Sequence, residues 1–321
     1  MSTCKRVPTA LEPYLSLPPE LSLILVTGTI ACTPTWLLSR FAGATLSQPI
    51  DDSTPDEGEA RKPETAVVLV SWMRDERFWK TEIRRTTVPN SLKIYQILNH
   101  MLIVSQGLDV VKAESQHRFA FVDCLQAPIP TTDLSQQDSV SAGTDQVFAH
   151  INATLTKFSS TSTTPRRILL ILDQPDVLTG TGTFGWHNLH GITQKLRKQV
   201  YATVINCSAD LPFISVSAAA VKDARTGSRT ATLHTELERH TANYRVQQAH
   251  IATFVMACRE LATGAAKDVS GVLRVTRGGG IYNVLREDPE WVDAFKETEV
   301  LYLVGRDGNV KVFERGASES G

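Results

Sequence analysis

The stretch Leu23-Ile24-Leu25-Val26-Thr27-Gly28-Thr29-Ile30-Ala31-Cys32-Thr33-Pro34-Thr35 decides how this chain is read. Residues 23–26 form an uninterrupted apolar run, the pattern of a strand buried on both faces of a parallel sheet. The run closes on a glycine, and beyond Pro34 an apolar helical pattern begins at Trp36. A strand, a glycine turn and a helix in this order is where a phosphate-binding loop, G-x-x-x-x-G-K-[ST], would sit. That loop needs a second glycine so that its backbone N–H groups can wrap the phosphates. It also needs a lysine to neutralise them and a hydroxyl for Mg²⁺. Gly28 and Thr35 hold the outer positions, but Thr33 stands at the second glycine and Pro34 at the lysine. Proline removes an N–H donor and a cation together. ATP hydrolysis through this loop is not expected, nor is a bound cofactor or a catalytic residue.

Composition sets wider limits. With 321 residues the chain can bury the core of one large α/β domain or two small ones. Its net charge of −1 creates no global field for nucleic acid, so any such contact has to come from a local patch. Cys4, Cys32, Cys124, Cys207 and Cys258 are widely scattered, and all but Cys4 lie in or beside apolar runs, as buried thiols in a reducing compartment do. No C-x-x-C pair points to zinc. The N-terminus lacks a basic-then-apolar signal pattern, and Leu21–Val26 is too short to cross a bilayer. The expectation is a soluble intracellular protein with no membrane contact, in the cytoplasm and also the nucleus.

Apolar β-type runs alternate with longer helical stretches, which predicts an α/β fold with a mostly parallel sheet flanked by helices. Strands are expected at Leu23–Val26, Ala66–Val70, Phe119–Val122, Ile168–Leu172, Tyr201–Ile205, Ile251–Met256, Gly271–Thr276, Val300–Val304 and Val310–Phe313. Asp307-Gly308 between the last two predicts an antiparallel C-terminal hairpin. Helices are expected at Trp36–Phe41, Lys80–Leu102, Gln146–Phe158, His187–Val200 and Leu233–His250. One domain over 19–315 is the economical division, with a flexible leader at 1–18 and a disordered tail at 316–321. Polar insertions near 47–64, 128–145 and 159–165 hold too little apolar surface to fold alone and are expected to be mobile.

A second segment bears on the nucleotide-fold reading. Arg167-Ile168-Leu169-Leu170-Ile171-Leu172-Asp173 is an apolar strand ending in an acid, the pattern of a Walker B segment whose Asp holds Mg²⁺ in an active enzyme. A buried strand that merely ends in a turn-forming Asp reads the same way. Its order after the altered loop favours shared ancestry.

The most specific stretch is Cys258-Arg259-Glu260-Leu261-Ala262-Thr263-Gly264-Ala265-Ala266-Lys267-Asp268-Val269-Ser270-Gly271-Val272-Leu273-Arg274-Val275-Thr276-Arg277-Gly278-Gly279. A strand, L-x-T-G-x-A-x-D-V-S-G and another strand resemble the family of the sixth Elongator subunit. With the two nucleotide-fold remnants, the resemblance spans most of 20–315. It implies a RecA-like fold without a working phosphate loop. It further implies assembly with the fourth and fifth Elongator subunits in a hetero-hexameric ring holding two copies of each. That ring docks on the catalytic Elongator subunits, binds tRNA and assists wobble-uridine modification. ATP turnover, where the ring has it, would depend on the partners. Read by themselves, the residues of the motif are turn chemistry: Thr263-Gly264 suits a tight turn, Asp268 or Ser270 can bond nearby N–H groups, and Gly271 permits close strand approach.

In RecA-like rings two loops face the central channel, and the matching stretches are Thr179–Trp186 and roughly Ala209–Thr230. In the first, Phe184 and Trp186 could stack on bases, although large aromatics are more often simply buried. In the second, Lys222, Arg225 and Arg229 around Gly227 suit phosphates, against the alternative of a solvated loop. Arg274 and Arg277 near Gly278-Gly279-Gly280 form a weaker cluster. That glycine run does not match G-x-G-x-x-G and is not expected to begin a helix. His234 and His240 lie on different faces of a helix, so no zinc site is expected there. Two other readings stand beside the ring subunit. A divergent P-loop-like ATPase would need Arg40 or Lys62 in place of the missing lysine; the other alternative is a free-standing regulatory domain.

Overall fold

The computed structural model describes residues 9–48, 63–87, 108–125, 137–160, 166–182, 184–210, 221–222, 229–230, 235–264, 266–306 and 308–314. The strands are β1 Leu23–Gly28, β2 Thr65–Ser71, β3 Phe119–Asp123, β4 Arg167–Asp173, β5 Ala202–Ser208, β6 Val221–Lys222, β7 Arg229–Thr230, β8 Phe254–Arg259, β9 Gly271–Arg277, β10 Thr298–Val304 and β11 Val310–Glu314. All nine expected strands form, with ends displaced by at most three residues; among the described residues the two-residue pair β6–β7 was not foreseen.

One nine-stranded sheet runs in the order β11-β10-β9-β8-β1-β5-β4-β2-β3. The six strands from β8 to β3 in that order are parallel, and β9, β10 and β11 add an antiparallel meander. The C-terminal hairpin is as expected: Val304 faces Val310, and Gly308 takes a φ of 79°, open to glycine at no steric cost. The fold class is therefore the predicted α/β one, mostly parallel, with helices on both faces.

Alternate residues of each parallel strand feed two separate cores, the period-2 consequence of a pleated strand. Ile24, Val26, Val67, Leu69, Leu169 and Ile171 meet the helix Thr35–Leu46. Leu23, Leu25, Val68, Val70, Leu170 and Leu172 meet the helices Gln137–Ser160, Trp186–Arg197 and Glu236–Ile251. The helix Thr35–Leu46 is buried almost all round, because the helix Glu76–Thr87 and the N-terminal segment cover what the sheet does not. The helix Glu236–Ile251 starts with a capping box, Thr235 accepting from Glu238 N while the Glu238 carboxylate accepts from Thr235 N.

Several expectations need correction. Within the leader, residues 9–18 pack onto the sheet domain: Leu11, Tyr14 and Leu15 are buried, and Tyr14 donates its hydroxyl to the Lys296 carbonyl. The polar insertion at 128–145 is helical from Gln137, since Phe148, Ile151, Leu155 and Phe158 anchor one long helix whose first turns are carried along. The helix expected at Lys80–Leu102 is present as Glu76–Thr87, and 88–102 lie outside the described residues. So do most of the insertion at 47–64, residues 161–165 of the third and the tail at 316–321. Gly278-Gly279-Gly280 does lead into a helix, Ile281–Glu287. A Cβ on any of the three would collide with the carbonyls of His250, Ile251 or Ala252, so these glycines let two backbones touch.

Candidate functional site

The first described helix after β1 packs on one face of the sheet, and the first described helix after β5, Glu236–Ile251, packs on the other. β1 and β5 are neighbours, so this divergence makes a topological switch point at Gly28 and Ser208, the usual place for a ligand in an open α/β sheet. Two hydrogen bonds within the chain cross this point. Ala209 N donates to the Gly28 carbonyl at 2.7 Å, and Ile30 N donates to Asp210 Oδ1 at 3.2 Å. The Asp210 carboxylate thus takes a loop N–H that a phosphate would need, and its charge repels phosphate.

The loop after β1 is also filled from within. A Cβ on Gly28 would meet Pro34 Cδ and lie 2.6 Å from the Cys32 carbonyl, so Gly28 is here to admit its own loop. Cys32 is buried and turns inward, its N–H donating to the Thr29 carbonyl at 3.1 Å and its Sγ to the Ser270 carbonyl at 3.2 Å. Thr33 is exposed, Thr35 is buried, and Ile30 at the tip is 84% exposed. Arg40, the substitute cation an active ATPase would require, is buried and donates to the Gly308 carbonyl at 3.4 Å. Lys62 lies outside the described residues.

Asp173 ends β4 with no exposed surface. The register sets Ser71 of β2 and Asn206 of β5 directly on either side of it, so three polar side chains stand in a row on one face. Ser71 Oγ donates to Asp173 Oδ2 at 2.8 Å, and Asn206 Nδ2 donates to Oδ1 at 2.8 Å. Arg74 Nη1 completes the set at 3.2 Å from Oδ2 and 3.4 Å from Oδ1. Arg74 is itself fixed: its N–H donates to Ser71 Oγ at 3.0 Å, and its guanidinium lies 5.3 Å from the centre of the Phe78 ring. Sequence reasoning missed Arg74, Ser71 and Asn206. The legible signal was the polar ending Ser71 and Asn206 give two apolar strands beside that of Asp173.

On the other face, Asp176 and Arg245 form a buried ion pair through Asp176 Oδ2, which also accepts from Ser208 N at 3.2 Å. Burial pushes the Asp176 carboxyl up, and Arg245 opposes that shift. Burial, with Asp176 adding to it, holds the nearby Cys207 thiol well above its ordinary range. The pair ties the turn after β4 to the helix Glu236–Ile251.

The remaining candidates separate. Phe184 is buried edge-on against Phe148, with ring centroids 5.9 Å apart, so it is a core residue and not a stacking platform. Trp186 is half-buried and stacks on His187 at 3.5 Å. Lys222 and Arg229 are Cα partners in β6–β7, which brings two of the three cations to one ladder; Arg225 lies outside the described residues. Arg274 is exposed, whereas Arg277 donates to the Val292 and Phe295 carbonyls. Gly264 takes a φ of 92°, as the Thr263-Gly264 turn requires, and Ser270 Oγ accepts from Val304 N at 3.0 Å. A Cβ on Gly271 would sit 2.8 Å from Cys32 Sγ and 2.9 Å from the Tyr302 hydroxyl. Among the described residues no three His, Cys, Asp or Glu side chains could hold a metal ion, and no helix is long and apolar enough to cross a membrane.

No protein-family model matches the chain, and no curated protein is similar to it at a significant level. Among solved structures, a KaiC-like protein from the hyperthermophilic archaeon Pyrococcus horikoshii superposes with a TM-score of 0.47 at 13% identity, over 98% of this chain and 99% of that one. At this identity the likeness says nothing of activity.

Proposed function

We propose that this chain is a non-catalytic RecA-like subunit of the sixth-Elongator-subunit type. In this reading it joins the fourth and fifth Elongator subunits in a hetero-hexameric ring that docks on the catalytic subunits. The ring binds tRNA and assists wobble-uridine modification, in the cytoplasm and nucleus. The observation that supports the non-catalytic part is the self-filled loop. Pro34 and Cys32 pack against Gly28, and the Ile30 N–H is taken by Asp210, which leaves phosphate less room and one donor fewer at this loop. The assembly part rests on the motif of residues 258–279.

The test is native mass and composition of the complex purified gently from its own cells. A ring with two other RecA-like chains is the expected result; a lone monomer that binds ATP tightly would sink the reading. Thr35→Ala and Asp173→Asn serve as a second arm, expected to leave ATP turnover by the ring and its tRNA binding unchanged where both variants fold. ATP turnover traced to this chain alone would refute the non-catalytic assignment.

A further inference from the structure

We propose that Arg74 is a resident cation in the place where a divalent metal ion would stand beside Asp173, and that removing its guanidinium uncovers an oxygen-lined divalent-cation site made by Asp173, Ser71 and Asn206. This rests on the non-catalytic reading above and extends it to the charge balance of the site. A strand-terminal acid in a nucleotide-binding fold implies Mg²⁺, but the residues around this one do not fit the ion. A carboxylate offers about four lone-pair directions, and here four donor contacts engage them: Asn206 Nδ2 and Arg74 Nη1 on Oδ1, Ser71 Oγ and Arg74 Nη1 on Oδ2. A divalent ion would have to displace these donors and sit against a fixed positive charge.

Arg74 is built in as this counter-charge. It follows Ser71 by one turn, its N–H is held by the same Ser71 Oγ that donates to Asp173, and its guanidinium rests by Phe78. Among the described residues no other ion pair offsets Asp173 once that guanidinium is gone: Ser71 and Asn206 are neutral. What remains is one carboxylate, one hydroxyl and one amide, the hard oxygen donors that Mg²⁺, Mn²⁺ and Ca²⁺ take. A second observation points the same way. Asn206 Oδ1 is buried and has no hydrogen-bond partner among the described residues, so an oxygen acceptor is left over within this cluster.

Mn²⁺ is the probe, with free aquo-Mn²⁺ followed by electron paramagnetic resonance during titration of the full chain. Wild type and Asp173→Asn should give the same weak, non-site binding. Arg74→Met should take up one Mn²⁺ at least tenfold more tightly than wild type, and Arg74→Met/Asp173→Asn should lose that gain. Arg74→Lys keeps the charge and should gain nothing. The inference is overturned by wild-type Mn²⁺ binding that Asp173→Asn abolishes, by an Arg74→Met titration no tighter than wild type, or by a gain in Arg74→Lys equal to that in Arg74→Met. If Arg74→Met does not fold, the wild-type and Asp173→Asn pair decides between a filled and an available carboxylate. Mn²⁺ bound through Asp173 without ATP turnover would remove only the resident cation, whereas turnover dependent on Asp173 would remove the non-catalytic reading as well.

Discussion

Replacing Arg245 by Met tests whether the polar contact beneath the switch point holds the crevice together. The substitution keeps most of the side-chain volume and leaves Asp176 buried without its counter-charge, both members being at most 5% exposed in the native chain. Breaking such a pair by deleting one partner costs about 3–5 kcal/mol. An unfolding entropy of about 2.1 cal/mol/K per residue, over 321 residues, turns this into a fall in Tm of about 4–7 °C. The pH dependence supplies the sharper criterion. Burial raises the Asp176 carboxyl above its ordinary value and Arg245 lowers it, so without Arg245 the folded-state value moves further up. A carboxyl raised on folding contributes its full stability below the unfolded value and loses it as pH rises through the folded one. The deficit of Arg245→Met should therefore be largest at neutral pH and shrink as pH falls towards the ordinary carboxyl range. Urea unfolding followed by tryptophan fluorescence, repeated down a pH series, measures both quantities. A loss below about 1 kcal/mol, the scale of an exposed pair, or a deficit that does not shrink on acidification, refutes the account.

Three other outcomes are expected. ATP with Mg²⁺ should leave the Tm of the isolated chain unmoved, whereas a site loaded at a hundred times its Kd would add about 2.7 kcal/mol, readily seen by calorimetry. Gly28→Ala should cost about 1–3 kcal/mol in urea unfolding, because the new Cβ meets the Cys32 carbonyl and the Pro34 ring, neither of which can swing away; an unchanged midpoint would mean the loop is not filled as described. Replacing Lys222, Arg225 and Arg229 together by Ala should weaken tRNA binding and flatten its dependence on salt by up to about 0.9 slope units per lost phosphate contact, and an unchanged slope would remove that loop from the tRNA surface.

Much of this protein follows from local pattern. Apolar runs such as Ala66–Val70 and Ile168–Leu172 are long enough to be strands and too short to be buried helices, so all nine expected strands could be placed by inspection. The departure from the phosphate-loop pattern was equally legible, since Pro34 stands where the lysine would and has neither an N–H nor a charge whatever surrounds it. The burial of Leu11, Tyr14 and Leu15 was not, because a short apolar segment beside Pro13 shows no period and finds its surface only once the helix Thr35–Leu46 is in place. The glycine run 278–280 was misread for the same reason: its need for glycine comes from the carbonyls of 250–252, not from its own turn.

The candidate site divides in the same way. Gly28, Pro34 and Asp173 could be named from sequence because each belongs to a local motif. That Asp173 lies between Ser71 and Asn206, and opposite Arg74, depends on β4 being inserted between β2 and β5, an order set by crossovers on opposite faces of the sheet. Arg74 and Asp173 are 99 positions apart and Ile30 and Asp210 are 180 apart, so no periodicity along the chain can pair them. The sequence by itself determined that the loop lacks the second glycine and the lysine of a phosphate loop. The tertiary structure decided what stands there instead, a carboxylate on the loop N–H and a guanidinium on the acid, because only lateral strand order brings those charges within hydrogen-bond reach.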